Sequence, residues 1–270
     1  MALNDITLAG GMRSNLLSLQ LTAALQQQAS LRLATGRRVN SAIDDPAAFF
    51  AAQDHRSRAS DLASLKDAMG EALQTVKAAD GAVSGITNLI EQAKGLVASA
   101  RSASTADRAT LAGQFDALLT QIDQLAADGG YKGKNLLGSD VLTVNFNPEA
   151  TSTLDITGFD ASSTGLAIAA SANAWAGNAD IDAAAAALDT GLKTLRTNAA
   201  TLASNSGVVQ ARIDFTSSMV ATLSAGADNL TAADVNQEGA NLQALQTRQQ
   251  LSIVALSLAS QSQQAILRLF

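Results

Sequence analysis

The sequence predicts a mostly α fold: long antiparallel helices with paired, coiled-coil-like terminal arms and a small β-hairpin insert. Three observations predict it. Both ends, residues 1–40 and 233–270, are Leu-bearing, charge-poor and free of Pro; Ala240 to Phe270 is 31 residues without Gly or Pro, charged only at Arg248 and Arg268. A helix of that length spans roughly 46 Å at about 1.5 Å per residue. Second, apolar residues reach 47% while aromatics are only 3%, which favours slender, closely approaching helices over a thick core. Third, β-like residues are confined to one stretch near the middle, with helical periodicity on both sides.

The elements follow in order. After a break at Gly10-Gly11, residues 12–35 carry a helix in which Leu17, Leu21, Ala24, Gln28 and Leu31 keep a 4-3-4-3 spacing, a heptad seam diluted by Gln. The stretch Thr35–Ser41 interrupts it. Asp45-Pro46 then starts a helix, with Asp as N-cap and Pro at the first helical position. Residues 46–102 read as one or two long helices. Thr105-Ala106-Asp107 opens another that runs to about Ala127 and ends at Asp128-Gly129-Gly130. Val141–Phe146 and Thr153–Thr157 are strand-like, joined by a turn at Asn147-Pro148-Glu149, and Leu166-Ala167-Ile168 is a candidate extension of the sheet. Helices are expected at about 181–203 and again at about 207–228.

The C-terminal arm follows. Leu242, Leu245, Gln249, Ser252, Leu256, Ala259, Gln263, Ile266 and Phe270 keep a strict 3-4 alternation, so the two arms can form a coiled-coil-like pair. A second face with Leu251, Val254, Leu258 and Leu269 stays apolar. A two-helix pair buries one stripe per helix, so this surplus predicts contacts with other copies of the chain.

Charge is unevenly placed. Residues 1–40 hold four Arg against one Asp, the C-terminal arm is neutral, and the middle is acidic, within a total of −6. An acidic middle argues against nucleic acid as a partner, which needs a dense basic face. No stretch has the apolar length a membrane span requires. The first residues lack the basic and apolar regions of a Sec-type signal. There is no cysteine, hence no disulfide and no thiolate metal site.

No catalytic, cofactor or metal constellation emerges, and the chain is not expected to be an enzyme. His55 is the only histidine, and a helix-surface residue beside Arg56 and Arg58 is the simpler reading than a general base. Asp44-Asp45 reads as a helix cap rather than a carboxylate pair. Gly129–Asn135 lacks the spacing and the Ser/Thr of a phosphate loop. Arg37-Arg38 could bind an anion or make an inter-subunit or solvent contact. Trp175 and Tyr131 are isolated. The Ser/Thr-rich stretch 151–164 reads as an exposed loop that could accept glycans.

Specific strings carry a resemblance. Leu31 to Ala48 (LRLATGRRVNSAIDDPAA) resembles the signature of bacterial flagellins, in which a seam helix ends at Ser/Thr-Gly before Asn-Ser-Ala-x-Asp-Asp. Its signature positions here are Gly36, Asn40, Ser41, Asp44 and Asp45. The tail from Leu242 to Phe270 is similar to the Leu-rich, Gln-spaced flagellin C-terminus. Tyr131 to Leu137 resembles the segment after that family's third long helix.

The resemblance implies a structural subunit of the flagellar filament, extracellular, used for swimming. Residues 1–40 with 233–270 would form an inner coiled-coil domain. Residues 41–137 with 183–232 would form a helical-bundle domain, and 138–182 its β-hairpin insert, with no outer domain. It looks like a short flagellin of the alphaproteobacterial kind. Self-assembly is expected to use Leu17, Leu21, Leu31, Leu242, Leu245, Leu256, Ile266 and Phe270. The implied partners are other flagellin subunits, hook-filament junction proteins, a filament cap and an export chaperone, with neither nucleic acid nor membrane insertion. A junction or other flagellar axial protein is the alternative. The segment matching the family's innate-receptor site, Gln92-Ala93-Lys94-Gly95, has Gln and Gly where the family carries Arg and Glu.

Overall fold

The computed structural model describes residues 10–267. Among the described residues are five α-helices: α1 Gly10–Thr35, α2 Pro46–Ala100, α3 Thr105–Asp128, α4 Asn178–Thr231 and α5 Val235–Leu267. Strands β1 Val141–Asn145 and β2 Thr153–Thr157 lie between α3 and α4, followed by a short 3-10 turn at Asn173–Trp175. The chain divides into two compact units. One joins the chain up to Arg58 with the chain from Thr222, and the other is Ala59–Ala221. The division falls within α2 and α4, further in than the loop positions that divide the sequence.

Two expectations change. The helices expected at 181–203 and 207–228 are one continuous helix, α4. Gly207 costs a helix roughly 1 kcal/mol, but Leu202 and Val209, both buried, fix it on either side. Leu166-Ala167-Ile168 is not a third strand, since the sheet has two strands only. There the backbone turns: Leu166 N–H donates to Ser162 O at 2.9 Å and Ile168 N–H to Ser163 O at 2.8 Å. Leu166 and Ile168 are apolar because they are buried in the core, not because they pair.

The unit Ala59–Ala221 owns the hydrophobic core. Met69, Ile86 and Ile90 of α2, Phe115 and Ile122 of α3, and Ile181, Leu188 and Leu195 of α4 are all fully buried in one cluster. The α2–α3 connection closes with local caps. Ser104 Oγ accepts from Asp107 N–H at 3.3 Å, and Arg108 Nε donates to Ala100 O at 2.9 Å. These contacts satisfy groups that helix ends otherwise leave open, and put a cation at the negative end of α2.

At the far end of α3, Asn135 Nδ2 donates to Ala126 O at 2.8 Å and Ala127 O at 3.0 Å. Before it, Tyr131 and Lys134 exchange two backbone hydrogen bonds around Lys132 and Gly133, whose φ values are 49° and 78°. Two positive φ angles at the centre of a two-residue turn are the type I′ requirement, which explains the Gly. Gly129–Asn135 thus carries a tight turn and no phosphate cradle.

The antiparallel hairpin pairs Val141 with Thr157 through Asn145 with Thr153. Beyond it, residues 158–176 are fastened to α3 by a repeated device. Asp123 accepts from Ser163 N–H at 2.7 Å and Ser163 Oγ at 3.1 Å. One heptad earlier, Asp116 accepts from Ser171 N–H at 2.7 Å and Ser171 Oγ at 2.8 Å. The segment ends with Trp175 fully buried, its ring centroid 5.1 Å from that of Phe115. Trp175 is therefore a core residue.

Candidate functional site

The other unit joins α1 to α5 and contains the signature loop. Its base is a backbone staple: Arg38 N–H donates to Thr231 O at 2.8 Å, and Ala233 N–H to Gly36 O at 2.9 Å. Gly36 sits at φ +65°, a left-handed conformation that lets α1 stop and turn toward this contact. Val39, 2% exposed, anchors the loop from inside.

Asp44 then orders the loop. Its Oδ2 accepts from Asn40 N–H at 3.0 Å, Ser41 N–H at 2.9 Å and Ser41 Oγ at 3.1 Å. The Ser41 and Asn40 backbone hydrogen bonds hold its carboxyl below the usual Asp value. Asp45 caps α2, accepting from Ala48 N–H at 3.1 Å, and pairs with Arg38 at 3.5 Å. Asn40 Nδ2 donates to Arg37 O at 3.1 Å. All five signature positions thus shape one loop. The two aspartates have separate tasks, one in the loop and one at the helix end.

The arms pair on a seam that differs from the expected one on α1. Among its buried or half-buried side chains, Met12, Asn15, Leu19, Thr22, Gln26, Ala29 and Leu33 keep a 3-4 alternation, flanked by half-buried Ala23 and Arg32. Leu17, Leu21 and Leu31 are instead exposed, at 63%, 63% and 52%. The heptad periodicity is present, but the stripe is rotated. Thr22 and Ala29, the most buried, are small, and Thr22 Oγ1 satisfies itself on Ser18 O at 2.7 Å. Small seam residues let two helices approach, while the leucines face away.

On α5 the half-buried side chains include Leu242, Leu245, Gln249, Ser252, Leu256 and Ala259, residues whose spacing marked the seam, together with Glu238 and Ser260. Leu251, Val254 and Leu258 are 66%, 65% and 67% exposed. Ile266 lies in α5, its side chain outside the described set, and Phe270 and Leu269 lie outside the described residues. Arg32 and Glu238 cross between α1 and α5 with a 3.1 Å ion pair.

Gln92 and Gly95 are exposed on α2. Lys94 pairs with Asp189 at 2.9 Å, and that hydrogen bond raises its pKa. Sequence reasoning missed Ile43, 94% exposed in the signature loop, and Phe50, 59% exposed near the start of α2. It also missed Asp116 and Asp123, whose heptad spacing on α3 was the available signal. Among the described residues, no helix is long and apolar enough to cross a membrane.

Comparison with known proteins bears on these surfaces. Residues 9–140 match the family model for the bacterial flagellin N-terminal helical region, and residues 185–270 that for the C-terminal helical region. Flagellin FljN of Caulobacter vibrioides is 32% identical over 276 residues, with 100% of each chain covered. Flagellin FljM of the same organism is 31% identical over 273 residues, again covering 100% of each chain. A flagellin of Brucella melitensis is 29% identical over 264 residues, covering 88% of this chain and 89% of that protein. With the two matched regions, the signature loop and two arms whose large leucines face outward, the chain belongs to the bacterial flagellins.

Proposed function

We propose that this chain is a structural subunit that polymerises into a flagellar filament through its terminal arms. The observation that supports it is the exposure of large apolar side chains on both arms: Leu17, Leu21 and Leu31 on α1, and Leu251, Val254 and Leu258 on α5. Burying such surface contributes about 25 cal/mol per Å². Several lateral contacts of modest strength then add up to a stable lattice. Leu242, Leu245 and Leu256 hold the arm pair together, and the outward leucines meet neighbouring subunits, with Ile266 and Phe270 completing the self-assembly set.

The route to the filament follows from the same surface. The chain is exported unfolded through the filament lumen and folds at the tip beneath a cap. Hook-filament junction proteins seat the first subunits. Before export, an apolar tail exposed in the cytoplasm is an aggregation hazard, so an export chaperone covers it. The polymer is a structural material, and no catalytic role is assigned to it.

The test is a truncation lacking residues 251–270. It yields a soluble folded monomer that cannot polymerise, read by circular dichroism and electron microscopy after salt-induced assembly. Normal filaments from the truncated chain would overturn the reading. The segment Gln92–Gly95, with its exposed Gln and Gly, stimulates the vertebrate innate receptor for flagellin poorly. A reporter assay giving the potency of an enterobacterial flagellin would refute that.

A further inference from the structure

Ile43 is the most exposed large apolar side chain in the described residues, at 94%. It does not hang on a loose loop. The three hydrogen bonds to Asp44 Oδ2, the Asp45 cap on α2 and the two backbone bonds to α4's end fix the loop on both sides of it. A rigid apolar side chain held in water is a cost to the monomer, and a preorganised one loses little entropy on docking. Asp44, exposed and directly after it, leaves Oδ1 with no hydrogen bond among the described residues.

A groove of matching character lies in the unit Ala59–Ala221, between α2 and β1. Leu65, Met69, Leu142 and Val144 line it, in a cavity of about 270 Å³. Lys132 and Lys134 stand on it. Lys132 is held by Glu71 at 2.7 Å, while Lys134 enters no ion pair among the described residues. An apolar floor with one uncommitted cation complements an apolar side chain with one uncommitted carboxylate oxygen. The groove beside α3 suits this loop badly, because Asp116 and Asp123 line it.

We propose that Ile43 of one copy seats in the α2–β1 groove of a second copy, with Asp44 facing Lys134. This rests on the filament reading and adds a specific contact to it. The two surfaces are different patches of the same chain, so the contact is heterologous. Repetition of such a contact continues head to tail instead of closing a dimer.

The chain has no cysteine, so engineered thiols report cleanly. The experiment is salt-induced assembly of the full chain carrying Ile43→Cys and Ala68→Cys, Ala68 being exposed on the groove. Mild oxidation follows, and the products are read on a denaturing gel. The expected result is a ladder of disulfide-linked multimers in polymer but not in dilute monomer. Each single-cysteine variant gives no ladder, since both thiols must lie within disulfide reach.

Filaments that form without a ladder overturn the contact and leave the filament reading standing. So does a ladder when Ile43→Cys is instead combined with Ala244→Cys in the groove between the arms. Failure of the unsubstituted chain to polymerise overturns the filament reading itself. If the double variant does not assemble, Ile43→Ser alone decides. It raises the critical concentration for assembly about tenfold while the monomer's thermal unfolding is unchanged. An unchanged critical concentration refutes the seat.

Discussion

The unit formed by α2 from Ala59 onward, α3, the hairpin and α4 up to Ala221 packs most of its largest side chains inward, whereas the unit of the arms turns its leucines out. Phe115, Trp175, Ile86 and Ile122 are completely buried in the first. In the second, the most buried arm residues are Thr22 and Ala29, and leucines stand in water. Both are built from helices of similar composition, so the difference lies in which stripe each helix spends on its own chain. One unit closes a core of its own and leaves outside it only single large apolar side chains such as Phe215 and the α2–β1 groove. The arm unit keeps its strongest apolar surface for contacts outside the chain, and this surplus is what the assembly reading uses.

The sharpest way to break this contrast is to truncate one side chain in each unit. Phe115→Ala lowers monomer stability by about 3–5 kcal/mol, since it empties a fully enclosed site. Leu21→Ala, on an exposed face, changes it by less than about 0.5 kcal/mol. Urea unfolding of the two variants decides, and comparable losses would abolish the distinction.

Between these extremes stand the Asp–Ser fastenings. Asp123→Ala leaves Ser163 N–H and Oγ unpaired, and costs about 1–2 kcal/mol. Hydrogen exchange in residues 158–176 should rise while α5 is unaffected. Leu251→Ala and Leu258→Ala together test the arm side: monomer unfolding stays within about 0.5 kcal/mol of the parent, yet the salt needed for polymerisation rises. Unchanged assembly would show that the outward leucines are spectators.

The smallest effect concerns pH. Asp44 has its carboxyl depressed by the Ser41 and Asn40 hydrogen bonds. A depressed carboxyl contributes order that is present above its ordinary pKa and is lost as pH falls through the lowered folded value. The Asn40 and Ser41 amides should therefore keep their protection at neutral pH and lose it only below the ordinary carboxylate range. NMR titration of those two amides checks this. Loss of protection between pH 5 and 7 would contradict it.

Much of the fold was legible because its signals were local. Thr105-Ala106-Asp107, Asp45-Pro46 and the Asn147-Pro148-Glu149 turn each act within a few residues, and helix and strand positions followed. The seam of α5 was legible because polar residues separate its two apolar faces. On α1, leucines at 16, 17, 19, 21 and 25 offer more than one stripe, and size favoured the wrong one. The pair instead uses Thr22 and Ala29, a choice set by how closely two backbones approach, which no single-helix pattern contains. Gly207 likewise marked the start of a second helix because the burial that overrides the break comes from Leu202 and Val209 packing in the core. The signature loop was readable by resemblance. That Ile43 projects from it was not, because only the folded loop separates the residue that faces in, Val39, from the one that faces out.

The staple between Gly36–Arg38 and Thr231–Ala233, with the Arg32–Glu238 bridge just beyond it, also sets how the arms come together. The most buried seam residues of α1, Thr22 and Ala29, are small, so the leucines of α5 meet few bulky knobs that would index one helix against the other. The staple and the bridge fix the alignment at one end. The pair thus works as a zip with its slider anchored at the loop: turns of α1 and α5 meet in sequence away from that point, and every outward leucine inherits its height from a contact made at the base.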